Sequence, residues 1–189
     1  VGDWNDPATW EVWSDTAWIP AISPPDSTDD VFIEKTSEVR LTDHEAVRNF
    51  YLFSSDTSSK KLNLQTYNLN IYGALKCYTS IAGKYLEYSS TSMLLDWIYP
   101  ETGNLVFKGT SRTIVDRASW SAQNLNSRFG VIFNPDPNDT LVVNSAFKAN
   151  SFLVQSGTVL QTVNEVGTPA TSTFSFNKLL SRNKDFPKV

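Results

Sequence analysis

The chain has one cysteine, Cys77, and one histidine, His44, in 189 residues. A lone cysteine excludes an intrachain disulfide framework. With a lone histidine beside it, neither a Cys/His zinc cluster nor a Cys-His catalytic dyad can be assembled. No glycine loop of the phosphate-cradling kind, no Gly-x-Ser-x-Gly nucleophile elbow and no zinc motif is present, so no cofactor is expected. No apolar run is long enough to span a bilayer and no signal peptide is visible, so membrane insertion is not expected either. Glycine is scarce, at 8 residues. The charge balance, 16 Lys+Arg against 20 Asp+Glu, leaves a net charge of −4 without a basic stripe, which argues against nucleic acid and anionic membrane surfaces as partners.

What is present is β-sheet material. Aromatic residues make up 13% of the chain, and serine, threonine and asparagine are abundant, a composition suited to sheets with hydroxyl- and amide-rich outer faces. The stretch from Asp29 to Tyr78 organises the rest. Read in twos, it places Val31 and Ile33, Val39 and Leu41, Leu62 and Leu64, Leu69 and Ile71, and Leu75 and Cys77 on one side. Glu34, Arg40, Asn63, Gln65, Asn68, Asn70 and Lys76 fall on the other. That period is the mark of half-buried strands, and it makes Cys77 a small buried apolar residue rather than a reactive thiol. Length sets one domain as the default.

The turn at Pro24-Pro25-Asp26, the strand runs DDVFIEKTSEVRLT, NFYLF and KLNLQTYNLNIYGAL, and a Gly2-x-Trp4-x-Asp6-Pro7-x-Thr9-Trp10 pattern ahead of them resemble the opening coils of secreted right-handed parallel β-helix proteins. These are pectate-lyase-like solenoids, common among surface and secreted proteins of Bacteroidota. The resemblance covers about the first eighty residues. It implies an all-β, right-handed parallel β-helix with a Trp-rich cap over residues 1–28, a solenoid over 29–176, and an exposed tail or link over 177–189. The alternative is a β-sandwich or jelly roll. Members of the family include adhesins, structural surface proteins and carbohydrate-active enzymes.

Within residues 1–28 stand Trp4, Trp10, Trp13 and Trp18, with prolines 7, 20, 24 and 25 barring regular helix. These indoles admit two readings: a platform that stacks on sugar rings, or a lid of aromatic bodies over the open end of the core. A terminal position favours the lid, with one or two indoles left at its rim. Asp26, Asp29 and Asp30 cluster just before the first strand. Their Pro-Ser-Thr-Asp setting favours carboxylates bonded to the local backbone over a calcium site.

Further on, residues 43–53 begin like a capping box but contain VRNFYLF, which is strand material. KYLEYSS continues the alternation, and the pattern breaks over 91–104. Strands resume at Leu105/Phe107, Ile114/Val115 and Phe129–Phe133. After the Asn134–Asp139 turn cluster come three close strands with a turn at Ser156-Gly157, and FSFNKLL adds one more. Asp96, Glu101 and Asp116 are the carboxylates nearest a plausible cleft, and a pair of acids could cleave a glycosidic bond. That supports a polysaccharide-cleaving β-helix enzyme only weakly, since any two acids look alike in one dimension. The stronger expectation is a non-catalytic, structural or adhesive module that binds a glycan or another envelope protein, as one part of a larger chain or assembly. The start at Val1 fits a processed, exported amino terminus and an extracellular or cell-surface location. Asp15-Thr16-Ala17, Asp26-Ser27-Thr28 and Asp139-Thr140-Leu141 resemble O-glycosylation sites of exported Bacteroidota proteins, with Thr16, Ser27 and Thr140 as acceptors.

Overall fold

The computed structural model describes residues 1–34, 37–54, 62–81, 84–87, 102–109, 112–116, 130–143, 147–161 and 174–181. Among them the protein is all-β: strands, a single 3-10 turn at Pro7–Thr9, and no α-helix. The capping-box reading of 43–53 gives way to two strands, β6 (Glu45–Val47) and β7 (Asn49–Ser54), as the aromatic and β-branched content of VRNFYLF favours.

Among the described residues three sheets are built on parallel pairing. The first joins β1 (Gly2–Asp3), β5 (Val39–Arg40) and β8 (Leu62–Asn63). The second runs from β4 (Asp30–Ile33) through β7, β10 (Leu75–Ile81), β13 (Arg112–Asp116) and β15 (Thr140–Val143) to β17 (Thr158–Gln161). The third runs from β6 through β9 (Asn68–Ile71), β12 (Asn104–Phe107), β14 (Gly130–Phe133) and β16 (Phe147–Val154) to β18 (Phe174–Ser181). From β4 to β9 the chain visits the second, first and third sheets in turn, and from β12 onward the described strands alternate between the third and the second, each return adding one strand further along. Among the described strands two pairings are antiparallel: β11 (Lys84–Glu87) folds back on β10, and β2 (Glu11–Trp13) pairs with β3 (Trp18–Pro20). Parallel pairing in the large sheets is not that of an antiparallel sandwich or jelly roll.

In-register columns build the core. Leu69, Leu105 and Val131 are register neighbours in the third sheet, as are Val47, Ile71, Phe107 and Phe133. All seven are buried, and the Phe107 and Phe133 rings stack at 5.3 Å. Leu62, Leu64, Val31, Ile33, Val39, Leu41 and Leu75 belong to the same cluster, with Trp4, Phe50 and Leu52; the first seven lie on the side to which the period-two pattern assigns them. Cys77 pairs with Leu52 through its backbone, but its side chain lies outside the described part.

Val106 departs from that pattern. Alternation turns it away from Leu105 and Phe107, yet it is only 4% exposed, so the outer face is covered at that point. Polar residues run in columns as well. Asn104 donates its amide to the Asn68 side chain at 2.8 Å, and the Asn68 backbone N–H donates to Nδ1 of His44 at 2.9 Å.

The carboxy-terminal strand β18 runs across position 176. Its backbone pairs with β16 from Phe174 to Ser181, so residues 177–181 belong to the third sheet. The rest of the expected tail, 182–189, lies outside the described residues.

Candidate functional site

The Gly2–Trp10 pattern folds as a self-consistent knot that anchors the amino terminus. The Gly2 N–H donates to the Glu38 carbonyl and the Trp4 N–H to that of Arg40, which places β1 alongside β5. A Cβ on Gly2 would collide with the Thr9 side chain, so glycine is required there. Asp6 caps the 3-10 turn by accepting the Ala8 N–H, and Pro7 occupies the first turn, where a missing N–H costs nothing. The Thr9 hydroxyl donates to the Asp3 carbonyl at 2.8 Å and the Trp10 indole N–H to the Trp4 carbonyl at 2.7 Å. The Arg40 guanidinium donates to Asp3 at 2.7 Å.

That knot sorts the four tryptophans. Trp4 is fully buried in the core cluster, its ring 6.5 Å from that of Phe50, so it has no face to offer a ligand. Trp10 is half-buried and meets Trp4 edge to face at 4.9 Å. Trp13 and Trp18 are exposed, at 53% and 52%, and they lie opposite each other on the β2–β3 hairpin.

The hairpin is local in origin. The Ser14 N–H and hydroxyl both donate to the Ala17 carbonyl at 2.9 Å. Asp15 takes φ 68°, which aspartate tolerates better than most side chains. Three cross-strand pairs follow, Glu11 with Pro20 and two wholly apolar ones. Trp13 and Trp18 meet at 5.4 Å with their planes 62° apart, and Val12 pairs with Ile19. Adjacent strand residues point to opposite faces, so the ribbon is aromatic on one face and aliphatic on the other. Both faces are open, with Val12 at 53% and Ile19 at 46%, and Ile22 just beyond is 97% exposed. Among the described residues this two-stranded sheet joins none of the others.

The first 34 residues also carry an uneven charge. They hold eight of the 20 acidic side chains and none of the 16 Lys and Arg, leaving twelve acids against all the bases in the remainder. Of the first cations the structure describes after them, Arg40 is already held by Asp3 and Arg48 by Asp30 at 2.7 Å. Burial alone would raise the Asp30 pKa, but hydrogen bonds from Arg48 and Asn49 outweigh it and hold the carboxyl below its ordinary range. Asp26 is also lowered, by the backbone N–H and then the hydroxyl of Thr28. Asp29 accepts the Asp26 N–H at 2.9 Å. Each of these three carboxylates therefore serves a local turn or an ion pair. Among the described residues no group of three or more His, Cys, Asp or Glu could hold a metal ion.

Thr16 and Ser27 are exposed, Thr16 in the hairpin turn and Ser27 in the turn before β4. Thr140 is half-buried at the start of β15, its backbone in register with both Arg112 and Thr158. Asp96 and Glu101 lie outside the described residues, as does the side chain of Asp116. No described helix is long and apolar enough to cross a membrane. The chain matches no protein-family model, no curated protein sequence and no solved structure.

Proposed function

We propose that the chain is an exported, non-catalytic recognition module of a cell surface. In this reading a right-handed parallel β-solenoid carries an aromatic hairpin as its contact surface, and the module attaches to a glycan or to another envelope protein. The observation that carries it is the sorting of the tryptophans. Trp4 and Trp10 tie the amino terminus to the core, whereas Trp13 and Trp18 stand exposed on a ribbon that joins no other sheet among the described residues. Exposed apolar surface rimmed by polar groups marks interaction sites.

The solenoid is supported by the order in which successive strands return to the second and third parallel sheets, each time one strand further along, and by buried columns that run across successive strands. The right hand follows from the rule that about 98% of parallel crossovers within one sheet are right-handed. Stacked strands present repetitive polar faces, which suit extended partners better than small molecules.

Binding to cell-envelope preparations and to neutral and acidic polysaccharides, compared for the wild-type and Trp13→Ala/Trp18→Ala proteins, tests the contact surface. The double variant should lose binding with its melting temperature unchanged. Retained binding would remove the hairpin from the function. New reducing ends or unsaturated products from the same polysaccharides would make the protein an enzyme.

A further inference from the structure

Resting on the reading of the β2–β3 hairpin as the contact surface, we infer that its partner is a protein segment bearing lysine or arginine among apolar residues, not a carbohydrate. Three features of the ribbon select that chemistry. The first is its two-sidedness. Sugar rings are bound by aromatic faces on one side of a surface, whereas here the Val12/Ile19 pair on the reverse face is as open as the Trp13/Trp18 pair. Only a partner that encloses both faces removes all of this apolar area from water, and a polypeptide can do so.

Ring geometry is the second. The two indole planes stand 62° apart, so they form a wedge rather than one flat platform on which successive sugars of a chain could lie. A wedge of indoles accepts a compact cation over a ring face, and tryptophan is the best side chain for that contact.

Charge is the third. Glu11 lies opposite Pro20 at one end of the ribbon and Asp15 sits in the turn at the other, both exposed. No lysine or arginine occurs anywhere in the first 34 residues. Carboxylates beside aromatic rings attract lysine and arginine and repel uronic acids and sulfated sugars, through complementarity that acts on encounter rate as well as on affinity. A basic, apolar segment meets the charge, the wedge and both open faces together.

The test uses the full chain and two probes, a lysine- and leucine-bearing amphipathic peptide and its glutamate counterpart, beside neutral and acidic polysaccharides. The basic peptide should bind, weakening as salt rises, and the acidic peptide should not. Glu11→Gln/Asp15→Asn should weaken binding about three- to tenfold, the scale of two exposed ion pairs, and flatten its salt dependence. Trp13→Ala/Trp18→Ala should abolish it, with an unchanged melting curve showing that the fold is intact. A neutral polysaccharide that binds through the tryptophans, indifferent to the Glu11/Asp15 changes, would overturn the inference and leave the contact surface standing. Self-association through the hairpin without peptide would put a second copy there instead. Peptide binding that survives loss of both tryptophans would overturn the inference, and no ligand lost with them in any arm would overturn the hairpin reading as well.

Discussion

The indole N–H of Trp10 donates to the backbone carbonyl of Trp4 at 2.7 Å, while the Trp4 ring itself is sealed in the core. One tryptophan is thus a core residue and its neighbour the strap that holds it. The Trp4 indole N–H is buried without a hydrogen-bond partner among the described residues. Trp4→Ala should therefore cost about 3–5 kcal/mol, but Trp4→Phe less than about 1.5 kcal/mol, because it also removes an orphaned donor. Trp13→Ala and Trp18→Ala should stay within about 0.5 kcal/mol. Denaturant titration of the four variants checks this, and equal losses at positions 4 and 13 would contradict the sorting.

Leu64 and Ile71 are fully buried, and each truncation to alanine should cost about 2–4 kcal/mol through the void it leaves. The neighbouring Asn63 turns outward, but its side chain accepts the Gln65 N–H at 2.9 Å, and Gln65 holds φ 50°. Asn63→Ala should therefore cost about 1 kcal/mol, the net worth of one hydrogen bond, more than a bare surface position and less than either core change. A loss at 63 matching that at 64 in urea unfolding would show the strand register to be wrong.

The Asp30–Arg48 pair sets an acid limb of stability. The folded-state pKa of Asp30 is depressed, so its contribution is complete above the ordinary value of 3.8 and fades as pH falls from there through the folded value. Arg48 is more than half exposed, so solvent screening keeps the contribution of the pair small. Glu45 has the opposite sign. Burial raises its pKa, against a hydrogen bond with Asn5, so stability falls as pH rises from 4.5 through the raised value. Asp30→Asn should lower the melting temperature at pH 7 and flatten the acid limb, whereas Glu45→Gln should raise it at pH 7. Melting curves from pH 2.5 to 7 decide both.

Glycan attachment, if it follows the Asp-Ser/Thr pattern, should favour Thr16 and Ser27 over Thr140. The first two are exposed in turns, while Thr140 is half-buried in a strand paired on both sides, where a bulky modification must disrupt the ladder. Intact mass and peptide mapping of protein from its native host test this order. A mass equal to that of the bare chain would end the prediction.

The inward set Val31, Ile33, Val39, Leu41, Leu62, Leu64, Leu69, Ile71 and Leu75 was legible from the sequence, since alternation is a property of each strand alone. The turns at Asn134–Asp139 and Ser156-Gly157 were legible for the same reason, because their residues carry their own conformational preferences. Strand partners were not. Nothing in KYLE distinguishes an antiparallel fold-back on β10 from another parallel strand, and nothing in the VFK run shows that the outer side of Val106 is covered.

The candidate site divides along the same line. The sequence by itself determined that four tryptophans crowd the first 28 residues and that the first 34 hold no Lys or Arg. Tertiary structure alone decided which of those indoles reach solvent. Trp4 is buried because Gly2 pairs with Val39 and Phe50 packs beside its ring, contacts between residues more than thirty positions apart. Trp13 and Trp18 remain exposed because, among the described residues, their rings meet each other and their two-stranded sheet joins no other. Burial belongs to such long-range contacts, and a tryptophan carries no local mark of whether it will find one.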